Sequence, residues 1–411
     1  MRIVSSAMAP ITAKQRIGEL DVLRGFALLG VLVANLFWWS VTYYSAPIER
    51  MEEIFADPAN AAILFGIDWL VSDKANTMFA TLFGIGFWVQ MQRIEQREGA
   101  FREIYLRRLA ILLILGLANL LLIWPWDILF IYSLAGFLLF ALRKMPAKAM
   151  LALGLVLVFA QPLLGFLQDL QPFADWGERM FTPEAAATRN AIFVYGSYGE
   201  WVGHVWQLFL YEGLLSLEIP IWVFYALGRF LLGAYIARSG WLDRISTLRP
   251  QVRRVFMIAL PAGLLCEGVY AAGLFPDVVP DGFALDMLHA ASSFVLALAY
   301  GCGLVLMFNA PPTRPLTEIF APVGRIALTN YMVQGVFIGL LLYGFHGGLA
   351  LAGSITPNGA LLCALLFFIA QVVISHLWLA YFRFGPLEWA WRALTYGEAP
   401  PITRHGVPTQ A

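Results

Sequence analysis

Ten runs of about twenty predominantly apolar residues recur along the chain, at roughly 20–43, 75–92, 104–123, 126–143, 148–168, 216–237, 252–273, 287–308, 322–343 and 359–382. Roughly 20 such residues in a helix cross the ~30 Å hydrocarbon core of a bilayer. A helix is also one of only two structures that satisfy every backbone polar group there. The repetition therefore implies an all-α, polytopic transmembrane helix bundle of about ten spans. Composition agrees: hydrophobic residues make up 60% of the 411 and charged residues 13%, with a mean hydropathy of +0.71. A soluble domain carries about 25% charged residues, and this chain has too little polar surface to cover a water-soluble globule.

The Lys/Arg distribution tests the count and sets the orientation. With both termini cytoplasmic, twenty-one Lys and Arg fall in cytoplasmic segments and four on the far side: Arg50, Lys74, Arg179 and Arg189. Arg24 and Arg229 lie within spans. Such a bias is the signature of cytoplasmic loops, and a wrong span count would scramble its alternation. The organisation expected is a cytoplasmic segment over 1–19, a membrane domain over 20–397 and a cytoplasmic tail over 398–411. Asp21 and Arg24 interrupt the first run and no A-x-A site follows it, so it reads as a retained span rather than a signal peptide. Two external segments are long. The stretch 44–74 is acidic, and 169–215 is rich in aromatics and glycine. The second is long enough to fold over the outer mouth of a cavity or to lie as interfacial amphipathic helices.

Several function classes lose support. A net charge of zero gives no footing for nucleic-acid binding. Cys266, Cys302 and Cys363 sit singly inside apolar runs, with no C-x-x-C and no Cys/His cluster of zinc spacing, so no metal site is expected. No G-x-S-x-G, H-E-x-x-H or Walker A motif occurs. Gly84 with Gly86, and Gly335 with Gly339, read as helix packing.

Polar groups inside spans are more informative, because a charge there costs roughly 2.5–3.5 kcal/mol on insertion scales. Asp21, Arg24 and Asn35 share one face of the first span, Asn35 lying nearly three full turns beyond Arg24. Asp127, beside Trp126 in the hairpin Trp124-Pro125-Trp126, either caps the next helix or points into a site. Arg229 is expected to pair with Glu212 or Glu218. Glu267 and Asn309 read as structural. Of the five histidines, His204 and His289 are placed to meet an external substrate, although a lone histidine is more often a hydrogen-bonded core residue.

The stretch Leu20-Asp21-Val22-Leu23-Arg24-Gly25 through Gly30, with Asn35, resembles the opening of the DUF418 (YeiB-like) membrane proteins. Lys74 followed by Phe79 to Gly86 resembles the family's second span, and Trp124 to Leu129 its hairpin. Gly324-Arg325-Ile326-Ala327-Leu328-Thr329-Asn330-Tyr331 with Gln334, and Phe384 to Thr395, resemble its C-terminal half. The likeness covers roughly residues 16–397 and implies a bacterial inner (plasma) membrane protein, multi-pass.

The family is similar to the wider transmembrane acyltransferases, of the acyltransferase-3 and heparan-α-glucosaminide acetyltransferase types. The resemblance implies acyl transfer from cytoplasmic acyl-CoA, as co-substrate and not as a permanently bound cofactor, to an external small-molecule, glycan or lipid acceptor. Membrane lipids are the other expected partners. Asp127 or His204 would act as base, and Asn35 and Asn119 would hold a carbonyl oxygen. Asn35 stands where the acyltransferase-3 type carries histidine, Asn119 where the family's hairpin often carries one, and an amide accepts no proton at neutral pH. Arg24, Arg325 and Arg383, with Asp21, would hold the donor. Arg107 and Arg108 could join them, although topogenic charge explains both. Lys74, Asn330 and Gln334 would line the acceptor side. The competing class is a transporter or small-molecule or lipid binder using the same polar cavity.

Overall fold

The computed structural model describes residues 17–40, 48–95, 101–125, 127–169, 182–245, 247–274, 279–280 and 282–404. Most of the segment 1–19, the tail beyond 404, parts of both external segments and Trp126 lie outside the described residues. The architecture is an all-α bundle of membrane-type helices. In chain order the helices are α1 (Gly18–Ser40), α2 (Ile48–Ala56), α3 (Pro58–Leu70), α4 (Lys74–Glu95), α5 (Phe101–Leu122), α6 (Ile128–Ala141), α7 (Ala147–Phe159) and α8 (Gln161–Asp169). The second half holds α9 (Pro183–Tyr195), α10 (Tyr198–Leu208), α11 (Glu218–Arg238), α12 (Arg249–Ala271), α13 (Phe283–Phe308), α14 (Arg314–Glu318), α15 (Ala321–Arg325), α16 (Ala327–Leu342), α17 (Pro357–Tyr381) and α18 (Pro386–Tyr396).

Every apolar run falls on a helix, but the runs are not equal. Among the described residues, six helices are long and apolar enough to cross a membrane: α1, α5, α11, α12 with its extension to Leu274, α13 and α17. Helices α6, α7 and α16 are shorter, and α4 continues α3 beyond a 94° bend that separates them from α2. A 14-residue helix such as α6 covers only about 21 Å. The run at 322–343 breaks at Ile326, whose φ of −117° and ψ of 47° separate α15 from α16. The break survives because Glu388, from the start of α18, caps the new helix. Its carboxylate accepts from the backbone N–H of Leu328 at 2.7 Å and Thr329 at 3.2 Å, and from the Thr329 hydroxyl at 2.6 Å. Thr329 Oγ1 in turn accepts from Leu387 N–H at 3.1 Å.

The ends of the helices meet as the charge alternation requires. On one end Arg107 donates to the Thr395 carbonyl, Arg238 to the Met145 carbonyl and Asn309 to Glu19. On the other, Trp39 packs on Trp124, Arg50 reaches the Ser354 carbonyl, and Gly344 N–H donates to Phe193 O. The second external segment does fold over this outer end: Phe193 and Trp201, fully buried, pack against Tyr343 and Phe345.

Small residues set the closest approaches. A methyl group at Gly324 would overlap the Asp21 carbonyl, and one at Gly25 the Phe320 carbonyl. The glycine that ends the L-D-x-x-R-G stretch thus lets α1 meet α15 backbone to backbone, the contact mode that replaces hydrophobic association inside lipid. Gly84 against Phe230, and Gly233 against Thr81, do the same for α4 and α11.

Candidate functional site

The densest buried polar group in the described bundle joins α4, α11, α12 and α13 near the outer end. It starts at the turn between α3 and α4. Asp73 there has φ = 57°, a left-handed conformation uncommon outside glycine. The turn separates two adjacent charges. The Asp73 carboxylate meets His289 Nε2 at 2.7 Å, while Lys74 enters the bundle and pairs with Glu267. Both side chains of that pair are fully buried. The other ring nitrogen of His289 lies 3.2 Å from Glu267 Oε1, which also accepts from the Ser292 hydroxyl. Tyr270 stacks on the imidazole with centroids 3.8 Å apart. A chain of ionisable groups therefore leads inward from Asp73, whose side chain is 27% exposed, through His289 at 13%, to a pair with no exposure.

Burial alone would raise the Asp73 carboxyl, but the His289 hydrogen bond and the positive charges of His289, Arg229 and Lys74 overcome it and hold the pKa at about 2. Asp73 is therefore a carboxylate at any physiological pH. Beside it, Tyr225 OH lies 3.5 Å from Asp73 and 3.1 Å from Thr77 Oγ1. Arg229 donates to Thr77 Oγ1 at 3.0 Å, to the Tyr225 carbonyl at 3.2 Å and to Gln161 at 3.5 Å, with its guanidinium 3.3 Å from the centre of the Tyr225 ring. These contacts correct the pairing expected for Arg229. Glu218 accepts instead from Trp222 Nε1 at 2.8 Å, and Glu212 sits in the field of Arg189.

Of the residues that the family resemblance implied for the site, Lys74 alone belongs to this group, and its charge is taken up by Glu267; His289, Glu267 and Arg229, which the sequence offered singly, join it there. Asp127 and Asn119 do meet. The Asp127 carboxylate accepts from Asn119 Nδ2 at 2.9 Å, from Tyr331 OH at 2.7 Å and from Phe130 N–H at 2.9 Å. Asp127 is fully buried and is the N-cap of α6. Asn330 and Gln334 form a second buried network with Gln371, Ser375 and the Leu28 carbonyl, which ties α1, α16 and α17 together. Asp21 and Arg24 pair at 3.4 Å on α1, beside α15 and its last residue Arg325. Arg383 follows α17, its N–H bonded to the Ile402 carbonyl. Asn35 is half-buried in the outer half of α1. His204 lies apart, edge-on to Phe193. Burial and then the charge of Arg189 push its pKa down to about 4.

Sequence reasoning weighed His289 and Glu267 singly and passed over Asp73. The available signal was the Asp73-Lys74 pair directly before the second span, facing two other ionisable residues near the outer ends of their own spans.

A multi-pass membrane bundle with a buried acid–histidine–acid–lysine chain is the class defined so far. The particular family follows from comparison. A model of the family described as "Protein of unknown function (DUF418)" matches residues 236–398. The chain is 32% identical to the uncharacterised protein YxaH of Bacillus subtilis (strain 168), over 97% of this chain and 99% of that protein. It is 30% identical to the uncharacterised protein YeiB of Escherichia coli (strain K12), over 93% and 97% respectively. The chain belongs to the DUF418, YeiB-like family. No solved structure matches it.

Proposed function

We propose that the chain is a transmembrane acyltransferase-like enzyme of the bacterial inner membrane, moving an acyl group from cytoplasmic acyl-CoA to an acceptor on the outer side. The observation that carries this reading is the Asp73–His289–Glu267 arrangement, which supplies the outer side with the histidine that Asn35 and Asn119 do not. Glu267 at Nδ1 orients the ring and would stabilise an imidazolium, as an orienting carboxylate does in acyl-transfer triads. Nε2 faces the half-exposed Asp73, where an acceptor hydroxyl or amine would arrive. In the step, the acceptor oxygen or nitrogen attacks the thioester carbonyl, its proton passes to the Asp73 carboxylate that His289 holds in place, the new C–O or C–N bond forms and the C–S bond breaks. The proton then leaves with the thiolate as free CoA thiol. Arg24, Arg325 and Arg383 are suited to the donor's phosphates.

The test is incubation of purified protein with radiolabelled acetyl-CoA and longer acyl-CoAs, reading bound label and released thiol. Acyl release that falls at least a hundredfold in His289→Gln with donor binding retained supports the proposal; binding of no acyl-CoA sinks it. A second reading is favoured by the chain's run from a half-exposed carboxylate to a dry ion pair, the form of a proton relay in transporters. Proton-gradient-driven solute uptake in proteoliposomes, lost in His289→Gln and without acyl release, would select it.

A further inference from the structure

At the opposite end of the bundle, Arg108 of α5 is 7% exposed. Its guanidinium lies 3.4 Å from the centre of the Trp391 ring, and Trp391 Nε1 donates to the Arg108 carbonyl at 3.0 Å. Nε and Nη1 of Arg108 are buried with no hydrogen-bond partner, and so is the hydroxyl of Tyr105 one turn earlier. Among the described residues, the titratable groups that act on Arg108 are Arg392, Tyr396 and Tyr105, with no carboxylate. Arg107 adds a third guanidinium, anchored on the Thr395 carbonyl at 3.4 Å.

This is not the arrangement of a topogenic arginine, which faces water. Leaving a buried donor unsatisfied costs roughly 1–3 kcal/mol, more for a charged group. Stacking on Trp391 returns about 2 kcal/mol when desolvated, which does not cover two orphaned donors and a neighbouring like charge. Planar guanidinium donors, a second arginine and the unpartnered Tyr105 hydroxyl in one place match the several acceptor oxygens of a phosphate group.

We propose that the junction of α5 and α18 binds a phosphate group through Arg108 and Arg392. The proposal stands on this geometry and holds whether or not acyl transfer occurs. A phosphate here comes either from a soluble phosphorylated compound or from an anionic lipid headgroup at the cytoplasmic interface.

The full chain in neutral detergent is titrated with inorganic phosphate and pyrophosphate, following thermal stability and tryptophan fluorescence. In parallel it is reconstituted in phosphatidylglycerol and in phosphatidylcholine vesicles. A saturable response to the soluble anions assigns a soluble ligand. Stabilisation by phosphatidylglycerol alone assigns a lipid. Arg392→Gln and Arg108→Met should each weaken the response about tenfold to a hundredfold, the worth of one or two charge-assisted hydrogen bonds. Arg392 is half-buried, so its variant reads the site even if Arg108→Met fails to fold. No response to any of the three phosphates, or an unchanged response in Arg392→Gln, overturns the proposal.

Discussion

Replacing Lys74 with methionine leaves Glu267 inside the bundle without its cation. The pair has no exposure on either side chain, so water cannot take the lysine's place. The partners left to Glu267 are His289, at 3.2 Å, and the Ser292 hydroxyl. Removing one partner of a buried pair typically costs about 3–5 kcal/mol, whereas replacing both with apolar groups of similar volume is often neutral. The double variant Lys74→Met/Glu267→Leu should therefore recover most of the loss. Ser292 keeps the Leu288 carbonyl at 2.8 Å and His289 Nε2 keeps Asp73 at 2.7 Å, while His289 Nδ1 gives up its 3.2 Å contact with Glu267. The Asp68 carbonyl loses its bond from Lys74, which leaves a residual cost of about 1 kcal/mol. The measurement is a double-mutant cycle on the purified protein in detergent, unfolded with SDS and followed by far-UV circular dichroism. A coupling energy of about 2 kcal/mol or more is expected. A Lys74→Met cost below about 1 kcal/mol, or additive effects in the double variant, would refute the reasoning that this is a dry, charged pair.

Other expectations follow from single contacts. Gly324→Ala, whose methyl meets the Asp21 carbonyl, should cost about 1–3 kcal/mol by overpacking in the same assay. Gly66→Ala, inside α3 with nothing near the added atom, should be neutral or stabilise by up to about 1 kcal/mol. Asp73, held at about 2 against an ordinary 3.8, binds fewer protons folded than unfolded. Its contribution is full above about pH 4 and is lost as the pH falls through about 2, so Asp73→Asn should flatten that limb of a stability–pH curve. His204, at about 4 against 6.5, likewise stabilises above about pH 6.5 and loses that contribution as the pH falls toward 4. His204→Phe should remove the acid sensitivity of that window.

What the sequence disclosed follows from physics that acts within one segment. Hydrocarbon thickness fixes the length of an apolar run and membrane topogenesis fixes the sign of its flanks, so the order and alternation of the helices were readable without knowing what packs on what. Residues whose role depends on a partner far along the chain were not. The break at Ile326 is held by Glu388, about sixty residues later, and nothing in the apolar run 322–343 announces it. Asp127 offered two roles in the sequence, cap or site residue. The donor from Phe130 N–H shows the cap, while its bonds to Asn119 and Tyr331 needed the fold. The Asp73–His289–Glu267 group joins a turn and two helices across separations of 216 and 22 residues, so no spacing rule could find it. Arg229 looked for an acid and found Thr77, Gln161 and an aromatic face, because α11 packs its arginine toward α4 and α8 rather than back along its own axis.

Both ends of the bundle bury ionisable groups, and stability accounts for neither. An outer carboxylate–imidazole–carboxylate chain and an inner unpaired guanidinium are both arrangements that an apolar core would improve upon. The inner end makes this measurable without knowing the reaction. Two orphaned donors on Arg108 weigh roughly 2–6 kcal/mol against folding, and its stacking on Trp391 contributes about 2 kcal/mol in favour. Arg108→Met removes both. In ligand-free detergent the variant should therefore be as stable as the parent or more so, by up to roughly 4 kcal/mol. In saturating pyrophosphate the order should reverse, because only the parent gains from the anion. Loss of stability in Arg108→Met without ligand would mean that the guanidinium serves the helix contact with α18, and the orphaned donors would then need an explanation other than a missing anion.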